Sequence, residues 1–169
     1  MRTARMLCKA GVVATLGGAL LAGPAFAEKM NCSSTRKSKE ILSKEAIKPG
    51  DRPDRELVQS VRIDIVSSSN PEFDGTEQTV YGHSDLVGGT GTHGGYSVQV
   101  LKSGETMWTR YEGVTYKTGG GARSEPRFDG VFRFIAGTGK YKAIRGGGHY
   151  PGRITAAGLT QDAVCEAQY

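Results

Sequence analysis

Cysteine, net charge, helical periodicity and long apolar runs are all scarce in this chain, and each shortage removes a class of function. Three cysteines occur in 169 residues and no two form a CxxC pair, so a dithiol redox motif is not encoded. The glycine-rich stretches Gly88 to Gly95 and Gly146 to Gly148 are followed by neither a helix nor a Lys-Ser/Thr pair, which excludes a phosphate cradle. No G-x-S-x-G nucleophile elbow and no repeat of fixed period are present. Beyond residue 27, no apolar run approaches the roughly 20 residues that a membrane-spanning helix needs.

What is there begins with a targeting pattern. Arg2, Arg5 and Lys9 form a basic start, Ala10 to Leu21 a short apolar run, and Ala25-Phe26-Ala27 an A-x-A cleavage site. Residues 1–27 are therefore expected to be a secretory signal, cut after Ala27, with a secreted or periplasmic product. Cys8 precedes the apolar run and is not placed to accept a lipid. The signal holds three of the 22 basic residues and none of the 17 acidic ones, so the remainder carries +2. That charge is too small to recruit nucleic acid or an anionic membrane surface. In an oxidising compartment the two remaining cysteines, Cys32 and Cys165, are expected to pair.

Residues 28–55 are polar, with a helical turn or two available at Lys37 to Ala46 and a stop at Pro49-Gly50-Asp51-Arg52-Pro53. This segment reads as an irregular N-terminal arm pinned by Cys32, and residues 56–169 as one β domain. From Leu57 the pattern has period two: Leu57, Gln59, Val61, Ile63 and Ile65 share one face, while Val58, Ser60, Arg62, Asp64 and Val66 share a more polar one. Further strands are predicted at Thr79 to Val87, His93 to Leu101, Thr106 to Lys117, Phe128 to Ile135, Gly146 to Ile154 and Gln161 to Ala167. A tight Gly-Thr-Gly turn is expected at Gly137 to Gly139. Many short strands, glycine turns and no strong helix predict an antiparallel barrel or sandwich, and closure of the sheet edges favours the barrel.

The segment Ala136-Gly137-Thr138-Gly139-Lys140-Tyr141, followed by Ile144-Arg145-Gly146, resembles the GGTGK-(F/Y)…ARG hairpin of plant dirigent proteins. It is similar also to the hairpin of the allene oxide cyclase barrel. Small bacterial exported proteins with an allene oxide cyclase-like barrel look closer still, through Tyr81-Gly82-His83-Ser84-Asp85, Trp108 to Gly113 and Asp129-Gly130. Ala136 stands where the family has its first glycine. The likeness covers Leu57 to Gln168. It implies an eight-stranded antiparallel, calycin-type barrel, often with a pocket at one mouth and commonly assembled as a homo-oligomer. The catalytic residues of the plant proteins do not carry over, because only the hairpin matches residue by residue.

Two placements of the fourth predicted strand are open. If Trp108, Arg110, Glu112, Val114 and Tyr116 point inward, Arg110 and Glu112 enter the barrel as a candidate acid–base pair. If Met107, Thr109, Tyr111, Gly113 and Thr115 point inward, both charges are solvated. Tyr96, Trp108, Tyr116, Phe128, Phe132, Phe134 and Tyr150 are candidates to line the interior. The ligand-binding set is accordingly Tyr96, Trp108, Arg110, Glu112, Tyr116, Phe132 and Phe134. His83, His93 and His149 lie on three different strands without metal-ligand spacing, so no metal and no cofactor is expected. Two classes of function follow. One is an exported, non-catalytic barrel that binds a small apolar or amphipathic molecule or serves an envelope role. The other is a cofactor-free isomerase or cyclase, or a dirigent-like protein, using an in-barrel Glu112/Arg110 pair.

Overall fold

In a computed structural model, which describes residues 27–118 and 125–169, the chain forms eight antiparallel strands. They are β1 (Lys29–Ile47), β2 (Arg55–Ser68), β3 (Glu77–Val87), β4 (Thr90–Val100), β5 (Thr106–Thr118), β6 (Glu125–Gly137), β7 (Arg145–Thr155) and β8 (Gly158–Gln168). Each strand pairs with the next, and β8 returns to β1, closing the barrel. The eight-stranded antiparallel barrel expected from the sequence is thus the fold found. The signal segment before Ala27 and the loop at Gly119 to Gly121 lie outside the described residues. Among those described, no helix is long and apolar enough to cross a membrane.

The arm expected over residues 28–55 is a correction. Lys29–Ile47 is a 19-residue strand that pairs with β8 from Lys29 to Lys37 and with β2 from Ser34 to Ile47. The barrel domain therefore starts at Lys29 rather than at residue 56. Polar composition hid the strand, because half of its inward set is polar: Ser34 and Arg36 point inward with Met30 and Cys32, and beyond Lys39 the ribbon runs exposed. Two register shifts, at Ser38/Glu40 and Ile41/Ser43, bend it as it leaves the barrel wall.

Turn chemistry is local and legible. Gly88 and Gly89, at φ of 60° and 82°, form a two-residue hairpin loop between β3 and β4. Both central residues at positive φ match the twist of the flanking strands. The β6–β7 connection differs from the tight turn expected. Gly139 opens a five-residue 3-10 helix, Gly139–Ala143, that folds across the barrel end. Its Tyr141 is 1 % exposed and its ring lies 4.6 Å from that of Tyr169 and 6.4 Å from that of Phe73. With Ile144, Leu101, Met107, Met30 and Ala167 these residues plug that mouth with an apolar layer. The Glu72 carboxylate accepts from Lys140 Nζ and from the Tyr141 hydroxyl, each at 2.9 Å, tying the β2–β3 loop to the plug.

The Cys32–Cys165 disulfide is formed, between residues that face each other in the β1–β8 register with Cα atoms 5.0 Å apart. It staples the first strand to the last.

Candidate functional site

Strand alternation decides where each candidate side chain goes. On β5, Met107, Thr109 and Thr115 are buried, while Arg110, Glu112 and Val114 are exposed. The Tyr111 face is therefore inward, and Trp108, Arg110, Glu112 and Tyr116 stand on the outer wall. Tyr96, opposite Arg110 on β4, is likewise outside and about half exposed. Five of the seven candidate ligand residues are thus not in the barrel. The Arg110/Glu112 pair is solvated, which removes the in-barrel acid–base pair. Only Phe132 and Phe134 point inward, stacked edge to face with centroids 5.7 Å apart.

Strand β2 turns its polar face to the interior: Asp64 is 1 % exposed and Val66 buried, while Leu57, Val61, Ile63 and Ile65 line the outer wall. The reason is electrostatic. Arg62 Nε donates to both oxygens of Asp64, at 3.0 and 3.2 Å, and a buried charge is tolerable when paired and hydrogen-bonded. Around this pair run Gln78 Nε2 to Ser97 Oγ at 2.8 Å, Ser97 Oγ to Thr109 Oγ1 at 2.5 Å, and Gln99 Nε2 to Thr76 Oγ1 at 2.8 Å. Arg36 enters the same layer from β1.

Beyond the ion layer lies an aromatic one. His93 Nε2 meets the Tyr150 hydroxyl at 2.8 Å and Nδ1 meets Thr115 Oγ1 at 3.0 Å. Its ring packs 5.9 Å from both Phe128 and Tyr150. Burial, the nearby Arg62 guanidinium and His83 hold the His93 imidazole down at a pKa of about 4, so it is neutral at pH 7. Burial likewise pushes the Tyr111 and Tyr150 hydroxyls up. Glycine makes the layer possible, since a Cβ at Gly130 would strike the Tyr150 ring and one at Gly113 would come within 2.8 Å of His93.

The interior is consequently filled. Among the described residues, voids of about 30 Å³, among Arg36, Arg62, Asp64 and Gln161, and about 20 Å³, near Cys32, Arg36 and Phe134, lie within it. Neither admits more than one or two water-sized groups. The concavities of small-molecule size are on the outside, one of them a groove of about 370 Å³ beside Tyr116, Asp129 and Asp162. A groove of about 630 Å³ runs over β3–β6, walled by His83, Tyr96, Arg110, Glu112, Val114 and Val131. Gly94 forms its floor between Tyr96 and Glu112. A Cβ there would lie 3.3 Å from the His83 ring and 3.1 Å from the Tyr111 carbonyl oxygen. Three of the sequence candidates, Tyr96, Arg110 and Glu112, therefore come together, but on the opposite side of the wall from the one a pocketed barrel requires. Trp108 lies one row away, and Tyr116, outside the groove, donates to Asp129 on its lining.

Metal chemistry has no cluster to support it among the described residues, where no three His, Cys, Asp or Glu side chains converge. His83 and His149 lie on the outer wall while His93 lies within. Residues that sequence reasoning passed over are Arg36, Arg62 and Asp64. The signal that existed was the Arg62-x-Asp64 spacing, which places opposite charges on one face of a strand.

No protein-family model and no curated protein matches this chain. Among solved structures, the chain is similar to the pterocarpan synthase dirigent protein GePTS1, at 13 % identity and TM-score 0.47, with 92 % of this chain and 99 % of that one covered. It is also similar to RPA1785 of Rhodopseudomonas palustris, a conserved protein of unknown function, at 11 % identity and TM-score 0.47, covering 83 % and 97 %. The fold assignment rests on the strand register itself.

Proposed function

We propose that the chain is an exported, non-catalytic binding barrel that takes a small amphipathic molecule in the outer groove on β3–β6. The observation that carries this reading is the convergence of Tyr96, Arg110 and Glu112 on a glycine-floored groove of about 630 Å³, within the usual volume range of small-molecule sites. Val114 and Val131 supply apolar contact, Tyr96 an aromatic edge, and Arg110 and Glu112 one charge of each sign. Such a wall suits a flat, partly apolar ligand bearing polar ends. A shielded cyclase or a dirigent-type steering site calls for a water-excluding chamber, and voids of about 30 and 20 Å³ argue against one inside this barrel.

A second reading is favoured by a specific feature of the same wall. Val61, Tyr81, Tyr96, Arg110 and Arg133 succeed one another across β2–β6 in register, and Tyr81, Tyr96, Val100 and Val131 are about half exposed. Aromatic and arginine side chains on an apolar ground are the composition of protein interfaces, so the outer face also suits a homo-oligomer contact. Arg110, Glu112 and Arg133 in its middle rows argue against contact with lipid tails.

Native mass spectrometry of the protein recovered from its exported compartment separates the two. A small-molecule adduct on the monomer, lost in Tyr96→Ala and Glu112→Gln, supports the groove. A mass at a multiple of the monomer, dispersed by Tyr81→Asp, supports self-association. A bare monomer that shows no amide shifts at Gly94, Tyr96 or Glu112 against an amphipathic fragment library would overturn the small-molecule reading.

A further inference from the structure

Among the described residues, the barrel interior holds more positive charge than the buried Asp64 carboxylate can balance. Arg36 is 8 % exposed and Asp64 is 1 % exposed. Asp64 directs both oxygens to Arg62, so its charge is already engaged. Arg36 is left with its buried Nε–H unpartnered by any protein group among the described residues, and with the Phe132 ring 5.8 Å from its guanidinium carbon. Burial lowers the Arg36 guanidinium to a pKa of about 10, against the pull of Asp64, so it stays charged at neutral pH. His93 is neutral there and offers no compensation. The layer carries two guanidinium groups and one carboxylate, and the remaining lining of the void is neutral: Gln78, Ser97, Thr109, Tyr111, Tyr150 and Gln161. A buried cation without a partner costs several kcal/mol.

We propose that the void among Arg36, Arg62 and Gln161 is a binding site for a single small monovalent anion of the halide class. Three properties select that class. The charge to be balanced is one. The volume, about 30 Å³, suits a monatomic ion and is small for an organic carboxylate with its chain. The wall presents guanidinium, amide and hydroxyl hydrogens and only one carboxylate, which is already paired. The site lies inside the wall and does not depend on the outer groove, so either reading can fail alone. Its consequence is that the barrel is stabilised by halide specifically, beyond the general screening that any salt gives.

Bromide is the probe. In crystals of the disulfide-bonded protein grown with sodium bromide, an anomalous peak is expected within hydrogen-bonding reach of Arg36 Nε. In thermal melts at matched ionic strength, chloride or bromide is expected to raise Tm above the gluconate value in a saturating manner, by roughly 3 °C or more. Arg36→Met should erase the difference between halide and gluconate while leaving a folded barrel. Should Arg36→Met not fold, Gln161→Leu serves as a milder change and should weaken the halide response several-fold. An absent bromide peak, or melts that coincide in halide and gluconate, would overturn the proposal and leave the void to water.

Discussion

The neutral His93 inside the barrel makes stability depend on pH in a defined window. Its folded pKa, about 4, lies below the ordinary 6.5. The unfolded chain therefore binds the proton first as pH falls, and stability drops between pH 6.5 and 4. Above 6.5 both states are neutral, and below 4 both are charged, so the contribution is flat outside the window. At roughly 1.36 kcal/mol per pH unit the full displacement amounts to about 3 kcal/mol. His93 is only partly buried, and solvent screening reduces that to on the order of 1–2 kcal/mol. Urea titrations at closely spaced pH values from 7.5 to 4.5, read by tyrosine and tryptophan fluorescence, measure the slope. The carboxylates of Glu72 and Asp85, held below their ordinary values by their ion-pair partners against the cost of burial, contribute only at lower pH. His93→Gln should flatten the slope while retaining a hydrogen bond to Tyr150. An unchanged slope in that variant, or an imidazole that titrates near 6.5 by NMR in the folded protein, would refute the reasoning.

Other perturbations have equally definite outcomes. Asp64→Asn leaves the Arg62 guanidinium without its paired charge and should cost about 3–5 kcal/mol in chemical denaturation, whereas Glu112→Gln on the outer wall should stay within about 0.5 kcal/mol. Reduction of Cys32–Cys165, or Cys165→Ser, opens a loop of 133 residues and should lower stability by up to roughly 4–5 kcal/mol, seen as a fall in Tm with and without reductant. Gly130→Ala drives a methyl into the Tyr150 ring and should destabilise by about 1–3 kcal/mol, with loss of near-ultraviolet circular dichroism before far-ultraviolet. Tyr141→Phe removes one hydrogen bond to Glu72 and should cost about 1 kcal/mol, measured by thermal melt.

The wall of the barrel was legible in the sequence where alternation and turn residues agreed. Predicted strands at Thr79 to Val87 and Thr106 to Lys117 match β3 and β5 to within two residues, and the Cys32–Cys165 pairing followed from an isolated pair of cysteines and the expectation of an oxidising compartment. The interior was harder, because hydrophobicity is a guide to the inside only when the inside is apolar. Val61 and Ile63 are outside because Arg62 and Asp64 satisfy each other within. Lys29–Ile47 did not read as a strand for the same reason: its inward set includes Ser34 and Arg36. On β5 both faces carry aromatic residues, so composition left the choice open. Tertiary context closed it, with Gly95 and Gly130 clearing space for Tyr111 and Tyr150 rather than for Trp108. Alternation put Arg110 and Glu112 on one face of their strand, but it fixed neither the β4–β5 register that sets Tyr96 opposite Arg110 nor the side of the sheet that face occupies.

The seam between β1 and β8 places Glu28 and Tyr169 side by side. Glu28 N–H donates to the Tyr169 carbonyl at 2.8 Å and Tyr169 N–H to that of Glu28 at 3.0 Å. The barrel can therefore be circularly permuted: a short linker from Tyr169 to Glu28, with new ends cut at Gly88-Gly89, would leave every ladder intact. In the natural order β1 waits for β8 before the sheet has no free edge. In the permuted order the β8–β1 ladder becomes a local hairpin, so the permutant should fold with less dependence on Cys32–Cys165 than the natural chain.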